Sequence, residues 1–342
     1  MKYKILFTSK NNYDLLENWI EKNSLINIPG IINLDLNSEY HQQQKGRKIC
    51  SKYSIDFVVA KETEFQSNVK QAFEYISKFG FDYLLYLHQD CFPANANTFS
   101  QINNCILKNN LSHYGCIGFN VYHDIEIKHF DDSLNQYMTT SRCVLQKGNG
   151  YYMKHPKGSR VNYNKFKKGL AFSVENVMWT ALLLSSKSFY GHIKVDKQFN
   201  FFLAPDDLAY QYLSKGIQNI VIPEISFIHD QSIKTQYNLP KDSPIGKKQD
   251  VEMRYGKFIG IHELWFKKWG FRYDPKKVLS IFNYRIIKFF MLKFFPTFYS
   301  GLDTIARKSY RESKSQNCNF DSFYNHDPMK GPLKYIEIKN SK

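Results

Sequence analysis

The sequence has few of the residues and patterns that define fibrous, metal-stapled or membrane-spanning proteins. It has 17 glycines and 11 prolines among 342 residues, too few for a collagen-like or Pro/Gly-rich chain. It has no run of about eighteen uncharged apolar residues, which a transmembrane helix requires. Its six cysteines include no CxxC pair and no spacing typical of a zinc site, so we expect reduced thiols. These absences leave a globular protein.

Acidic residues are also in deficit. The chain carries 47 Lys and Arg against 31 Asp and Glu, a net charge of +16. Such an excess favours an acidic partner, and nucleic acid, nucleotide diphosphates and anionic lipid head groups all qualify. The coding bias of an AT-rich genome is an alternative explanation for part of this positive charge. With 43% hydrophobic and 16% aromatic residues, the chain has enough apolar material for a packed core.

The first residues, MKYKILFTSKN, lack the features of a secretory signal. The apolar run begins at once and gives way to polar residues at Thr8 and Ser9, too soon for the apolar core of a signal peptide. We therefore expect a cytoplasmic protein.

Strand-like and helix-like segments alternate in the first part of the chain. Short apolar runs indicate strands, and apolar residues at three- and four-residue spacing indicate helices. The predicted strands are 4–8, 31–36, 56–60 and 83–87, and the predicted helices are 13–21 and 68–79. This alternation predicts an α/β protein with a parallel sheet. Ligands of such sheets bind at the carboxyl ends of the strands, so the residues after each strand are the first site candidates.

The apolar strand YLLYL is followed by His88, Gln89 and Asp90. A rigid strand fixes a carboxylate at the edge of the sheet, where it can hold a divalent cation. Asp90 is therefore the first predicted metal ligand. The alternative is an Asp that opens a turn or caps the next helix.

A second group of polar residues lies in FFLAPDDLAYQYLSKG and in the segment after it. Asp206 and Asp207 begin a predicted amphipathic helix that ends at Gly216. A carboxylate there can serve as a general base, or it can cap the helix, whose N-terminus favours negative charge. A short strand is predicted at 220–222. His229 comes seven residues after it, an offset that can return the imidazole to the same crevice.

In this order, the segments resemble the inverting family 2 glycosyltransferases, which have a GT-A fold. The family pattern has a strand ending in an Asp-x-Asp metal motif, an acceptor-side segment, an Asp-Leu helix ending in glycine, a strand and a histidine. The counterparts here are YLLYLHQD, VMWTALLLSSKSFYGHIKVDKQFNFF, PDDLAYQYLSKG, IVIPEISF and His229. The resemblance covers about residues 1–232. HQD keeps the final Asp of the metal motif. Ala204, Pro205, Asp206 and Asp207 stand in place of the Glu-Asp that precedes the helix in the family, so the resemblance leaves open which Asp is the base.

This resemblance implies a mixed, mainly parallel GT-A sheet flanked by helices and a metal-dependent sugar transfer. A nucleotide-diphosphate sugar would lie across the carboxyl ends of the strands, with Mg²⁺ or Mn²⁺ on Asp90 and His229. Asp206 or Asp207 would take the proton of an acceptor hydroxyl, giving inversion in one displacement. The acceptor would be a glycan or a lipid-linked glycan in surface polysaccharide or lipopolysaccharide synthesis, at the cytoplasmic face of the membrane.

The nucleoside of the donor would meet residues that follow the early strands. These candidates share a polar side chain at a strand end or at the start of the next helix. They are Thr8, Ser9, Asp35, Lys61 and Asn68, together with His88 and Gln89 of the HQD segment. Whether His88 contacts the ribose or the metal stays open, and polar residues after strands are also common where no ligand binds.

Two basic segments lie outside these motifs. Between 142 and 168 there are eight Lys and Arg and no acid, which suits a loop that folds over a diphosphate or a solvated loop. Residues 281–301 combine Lys and Arg with many aromatic residues, which suits a helix in an anionic membrane interface, a helix packed on the catalytic domain or an oligomer contact. We divide the chain into a catalytic domain, 1–235, and a basic, aromatic helical region, 236–342.

Two other functions fit the sequence less well. A non-catalytic basic protein on the same α/β scaffold could bind membrane or nucleic acid. However, no nucleic-acid motif is present, and the carboxylates of Asp90, Asp206 and Asp207 would repel phosphate without a metal. A nucleotidyltransferase would need a Gly-rich phosphate loop after the first strand, where TSKNNYD stands. We therefore expect a glycosyltransferase and no nucleic-acid partner.

Overall fold

A computed structural model gives the fold of the chain. It describes residues 1–124, 127–131, 136–139, 144–145, 150–151, 169–174, 176–177, 179–199, 203–230, 264–265, 267–269 and 334–339. The basic segment 142–168 lies mostly outside these residues, and the aromatic segment 281–301 lies wholly outside them. Within the described residues, no helix is both long and apolar enough to cross a lipid bilayer.

The described part of the chain contains fifteen strands and six α-helices. The strands are β1 (Tyr3–Ser9), β2 (Ile31–Asp35), β3 (Asp56–Val59), β4 (Tyr83–Leu87), β5 (Cys91–Pro93), β6 (Ile117–Asp124), β7 (Ile127–Asp131), β8 (Gln136–Thr139), β9 (Val144–Leu145), β10 (Gly150–Tyr151), β11 (Leu170–Val174), β12 (Asn176–Val177), β13 (Ala181–Ser185), β14 (Asn219–Asp230) and β15 (Tyr335–Glu337). The helices are α1 (Tyr13–Lys22), α2 (Tyr40–Lys52), α3 (Phe65–Ile76), α4 (Thr98–Lys108), α5 (Ser186–His192) and α6 (Ala204–Ser214).

Eleven of these strands form one mixed sheet. Its main order is β15-β11-β14-β6-β13-β4-β1-β2-β3, with β5 paired to β14 and β9 paired to β6. Strands β1 to β4 are mutually parallel where they pair, and β14 is parallel to β6. Because β13 is antiparallel to both β4 and β6, the two parallel groups run in the same direction. The predicted mixed, mainly parallel α/β sheet is confirmed.

Helices cover both faces of the sheet because the strands are apolar on both sides. All five residues of β2 and of β13 are buried, as expected for strands covered on two faces. Helices α1, α2 and α4 pack in one buried cluster, around Trp19 and Phe99. Helices α3, α5 and α6 pack in the other, around Phe73 and Tyr210. This layering leaves the carboxyl ends of the parallel strands as the common edge for a site.

Strand β14 is much longer than the predicted strand 220–222. A register shift between Ile222 and Ser226 accommodates Pro223, and pairing with β6 continues from Ser226 to Asp230. A bulge of this kind lets a strand continue past a residue that cannot join the ladder. His229 is therefore carried to the edge of the sheet within the strand itself.

Two short pieces of the C-terminal region lie against the sheet domain. Strand β15 pairs antiparallel with β11 at the end of the sheet. Trp265 and Trp269 are buried in the same cluster as α6. The division at residue 236 stays a prediction, but these pieces pack on the domain that precedes it.

Candidate active site

Asp90, His88 and His229 come together at the carboxyl edge of the sheet. His88 and Asp90 directly follow β4, and His229 is near the end of β14. The pairing of β5 with β14 brings them together, because β5 begins immediately after Asp90 and aligns Cys91 with His229. The backbone N–H of Asp230 also donates to the carbonyl of Asp90 at 2.8 Å. This pairing fixes the carboxylate of Asp90 beside the imidazole of His229.

The three side chains form a compact cluster. His229 Nε2 lies 3.4 Å from Asp90 Oδ2, and His88 Nδ1 lies 3.7 Å from Asp90 Oδ1. One ligand atom from each residue can be chosen so that all three lie within 4.8 Å of one another. Atoms that bind one divalent ion at about 2.0–2.6 Å are no more than about 5 Å apart. The cluster therefore has the dimensions of a single-ion site.

The electrostatics of the cluster suit a cation. Burial lowers the pKa of His88 to about 4, against the opposing charge of Asp90, so its imidazole is neutral near pH 7. Burial alone would raise the pKa of Asp90, but the hydrogen bond from His229 and the electrostatic interaction with the two nearby imidazoles bring that pKa below its usual value. An ionised carboxylate and a neutral imidazole are the protonation states that metal ligands require.

The donor atoms also fit a divalent transition metal. Asp90 Oδ1 is buried and accepts no hydrogen bond within the described part of the chain, although a buried carboxylate oxygen normally has a partner. Carboxylate oxygen suits Mg²⁺ and Mn²⁺, whereas imidazole nitrogen suits the transition metals. A site with two imidazoles and one carboxylate therefore fits Mn²⁺ better than Mg²⁺.

Polar groups from three strand ends meet beside this cluster. Gln89 Nε2 donates to Ser9 Oγ at 2.7 Å, and Ser9 Oγ donates to Asn33 Oδ1 at 2.6 Å. Thr8 Oγ1 lies 3.4 Å from the Tyr86 hydroxyl. Thus hydrogen bonds connect the HQD segment to β1 and β2. The residues predicted to contact the nucleoside, Thr8, Ser9 and Asp35, lie at the ends of these two strands.

Asp35 is held inside the protein. Its side chain is fully buried, the backbone N–H of Ser38 donates to Oδ1 at 2.9 Å, and the Tyr13 hydroxyl donates to Oδ2. Burial and this hydrogen bond raise the pKa of Tyr13 far above its usual value. Both carboxylate oxygens of Asp35 therefore have protein partners, and its predicted contact with the donor stays a prediction.

Lys61 and Asn68 are placed differently from the other candidates. Lys61 is exposed, and its backbone N–H donates to Gln71. Asn68 is buried in α3, where its amide donates to the carbonyl of Thr63 at 3.3 Å. Neither residue belongs to the cluster of His88, Asp90 and His229 that the described residues form.

The two adjacent aspartates of α6 have different surroundings. Asn176 Nδ2 donates to Asp206 Oδ1, and Asp206 is partly buried. Asp207 is fully buried. Four side chains donate to Asp207: Gln66, Gln211, Lys268 and Trp269. The oxygens of Asp207 are therefore occupied by the protein, while Asp206 is oriented toward β12.

The start of the predicted acceptor-side segment, with Asn176 just before it, connects α6 with the cluster of His88, Asp90 and His229. Asn176 contacts Asp206, and the carbonyl of Thr180 accepts the backbone N–H of His88 at 3.0 Å. Between them, Trp179 packs edge-on against His88 with ring centroids 4.5 Å apart. The resemblance had placed this segment on the acceptor side, but no single residue in it was predicted as a site residue. Strand β13, which follows it, runs antiparallel to β4 and so begins at the site edge.

Comparison with known proteins identifies the fold. No family model and no curated protein matches the sequence. Among solved structures, GalNAc-T7 with UDP, GalNAc and Mn²⁺ matches with a TM-score of 0.52 and 12% identity over 78% of this chain and 50% of that chain. The mannosyltransferase PcManGT from Pyrobaculum calidifontis, with GDP-Man and Mn²⁺, matches with a TM-score of 0.43 and 9% identity over 91% of this chain and 87% of that chain. S. aureus TarS matches with a TM-score of 0.43 and 10% identity over 67% of this chain and 60% of that chain.

The chain thus spans half of the length of the GalNAc-T7 chain it matches. That likeness and the sheet order agree on a GT-A-like α/β fold, the fold of nucleotide-diphospho-sugar transferases. The expectation of this fold is confirmed.

Proposed function

We propose that the protein is a metal-dependent glycosyltransferase that uses a nucleotide-diphosphate sugar. The observation that carries the proposal is the cluster of His88, Asp90 and His229 at the carboxyl edge of a GT-A-like sheet. In open α/β sheets this edge is where ligands bind. The carboxylate of Asp206 accepts a hydrogen bond from Asn176, which lies three residues before Trp179, the ring that packs against His88.

The cluster would hold Mn²⁺ and, through it, the diphosphate of the donor. A divalent ion in this position supplies charge neutralisation for the departing diphosphate. His88 and His229 would bind through neutral nitrogens, and Asp90 would supply the negative charge. Thr8, Ser9 and Gln89 would line the nucleoside side, because their hydrogen bonds already bring the ends of β1, β2 and β4 together.

Asp206 is the better of the two candidates for the general base. Both oxygens of Asp207 accept hydrogen bonds from buried side chains, so Asp207 has no oxygen directed at a substrate. Asp206 would accept the proton of an acceptor hydroxyl as that oxygen forms a bond to the anomeric carbon. The bond from this carbon to the diphosphate oxygen breaks, and its electron pair leaves with the nucleoside diphosphate. Attack from the opposite face inverts the anomeric centre.

The acceptor and the pathway extend this proposal. We infer a glycan or lipid-linked acceptor in surface polysaccharide or lipopolysaccharide synthesis, and a protein at the inner face of the cell membrane. The support is the resemblance to family 2 enzymes and the basic, aromatic segment 281–301, which lies outside the described residues.

The test is turnover of a panel of UDP- and GDP-sugars by the full chain, measured as released nucleoside diphosphate. We expect turnover of at least one donor with Mn²⁺ and none after EDTA treatment. Asp90→Asn should abolish the activity, whereas Asp14→Asn, a matched change at a side chain that is 77% exposed, should leave it unchanged. If no donor is bound or hydrolysed by the wild type with Mn²⁺, the proposed function is wrong.

A further inference from the structure

Asp207 is the centre of a buried polar network that connects α6 to the C-terminal region. Lys268 Nζ lies 2.8 Å from Asp207 Oδ1, and Trp269 Nε1 donates to the same oxygen at 2.9 Å. Gln66 of α3 and Gln211 of α6 donate to Oδ2 at 2.9 and 2.8 Å. A fully buried carboxylate is stable only when it is paired and hydrogen-bonded. This network provides both.

Lys268 is the cation that balances this buried charge. Its ammonium group also lies 2.8 Å from Asp196 Oδ2, and it sits over the rings of Phe199 and Trp269 at 5.1 and 5.3 Å from their centroids. Lys268 is 61 residues from Asp207 in the sequence, so the ion pair holds together distant parts of the chain. The side chain of Lys268 is only 28% exposed, which limits screening by solvent.

The same network fixes the start of α6. Leu203, the residue before the helix, has a φ of +63°, a region that L-residues with a branched side chain rarely adopt. The backbone N–H of Asp207 donates to the carbonyl of Leu203 at 2.8 Å, and Gln66 Nε2 donates to the carbonyl of Ala204 at 3.2 Å. Such backbone conformations persist where the surrounding contacts determine them, and they cluster at functional sites.

Fixing Asp207 also fixes the direction of Asp206. Successive residues of an α-helix point about 100° apart around its axis. While Asp207 is held against Lys268 and Gln66, Asp206 is directed to Asn176 at the site edge. A rotation of this first turn would move both carboxylates together.

We propose that Lys268 is a positioning residue for sugar transfer, acting through Asp207 to hold the first turn of α6 so that Asp206 faces the acceptor. This inference rests on the proposed function. It gives the 264–269 segment a role in the reaction without contact to the substrate. Transfer needs the base in place, whereas donor binding depends on the separate cluster of His88, Asp90 and His229.

The test compares Lys268→Met with Lys268→Arg in the full chain. For Lys268→Met we expect kcat for donor turnover to fall by roughly 10²-fold, the usual cost of a catalytic group displaced by about 1 Å. The KM for the donor and its Mn²⁺-dependent binding should stay within a factor of about two. Lys268→Arg keeps the charge and should recover most of kcat. Lys52→Met removes an exposed lysine paired with Glu17 on α1 and serves as the matched control with normal kinetics.

A second variant keeps the test valid if Lys268→Met folds poorly. Trp269→Phe keeps an aromatic ring but removes the N–H that donates to Asp207. It should lower kcat by a smaller factor, with binding of the nucleotide sugar unchanged. If either variant is folded and its kcat equals that of the wild type, the network is only structural and the inference is overturned. If the wild type itself binds and turns over no nucleotide sugar, the proposed function falls, and this inference falls with it.

Discussion

Replacing Asp207 with alanine should destabilise the protein much more than replacing its neighbour Asp206. Asp207→Ala removes a buried anion and leaves Trp269 Nε1 without the acceptor it has in the native protein. Among the described residues, Lys268 would keep Asp196 as its ion-pair partner. Breaking a buried ion pair by removing one partner costs about 3–5 kcal/mol. Because the side chain of Lys268 is 28% exposed, solvent recovers part of this cost, so we expect a loss of about 3 kcal/mol.

Asp206→Ala removes a partly buried carboxylate that accepts a hydrogen bond from Asn176. A hydrogen bond of this kind contributes about 0.5–1.5 kcal/mol, and more when one partner is charged. Both aspartates lie in the first turn of α6, so the favourable interaction of each carboxylate with the helix dipole is similar and largely cancels when the two variants are compared. We therefore expect Asp206→Ala to stay folded and to cost about 1.5–2 kcal/mol, less than Asp207→Ala, while donor turnover falls by roughly 10²- to 10⁴-fold.

The assay is urea unfolding of both variants with the wild type, together with donor turnover on the folded proteins. Stability differences are read from the midpoint with a common slope. Equal losses of stability for the two variants, or unchanged donor turnover in folded Asp206→Ala, would refute the assignment of their roles.

Two further predictions concern packing and thiol chemistry. Gly46→Ala should destabilise the protein by about 1–3 kcal/mol, because a Cβ there would lie 2.3 Å from the ring of Tyr13. Gly191→Ala is the control and should be neutral or stabilising, because a Cβ there meets nothing within 4 Å. Equal shifts of the melting temperature for the two variants would contradict this packing. Native protein should expose at most two of its six thiols to Ellman's reagent at pH 8, because four are buried. Burial raises the pKa of Cys50 to about 12 and that of Cys105 to about 11, so these thiols carry no reactive thiolate until the protein unfolds. Three or more fast-reacting thiols in the folded protein would contradict this prediction.

Much of the sheet could be predicted because its strands are short apolar runs between polar turns. The predicted strand 83–87 matches β4 at both ends, and the predicted helix at 13–21 differs from α1 by one residue. Helix α2 was not predicted because it is largely polar and buries only Gly46, Ile49 and Cys50. Its sequence, YHQQQKGRKICSK, carries too weak an apolar stripe to be recognised without its packing partner.

The candidate site could be predicted only in part, because its geometry depends on pairing between distant segments. Asp90 could be predicted as a site residue because it follows an apolar strand. The contact of Asp90 with His229, however, depends on the alignment of β5 with β14. The sequence left Asp206 and Asp207 equivalent. Their difference arises from Lys268 and Trp269, which lie far along the chain and in a segment with no recognisable motif.

The central claim is that His88, Asp90 and His229 bind one divalent ion for a nucleotide diphosphate. Titration of the full chain with Mn²⁺, followed by the EPR signal of the free ion with and without UDP or GDP, tests it most directly. We predict a single Mn²⁺ site that binds more tightly with the nucleotide and prefers Mn²⁺ over Mg²⁺. Removing an outer-shell partner of a metal ligand already costs about 10- to 100-fold in affinity, so Asp90→Asn and His229→Gln should each lose at least about tenfold, while Asp14→Asn should not. Unchanged Mn²⁺ affinity in Asp90→Asn, or no Mn²⁺ binding by the wild type with either nucleotide, would contradict the account.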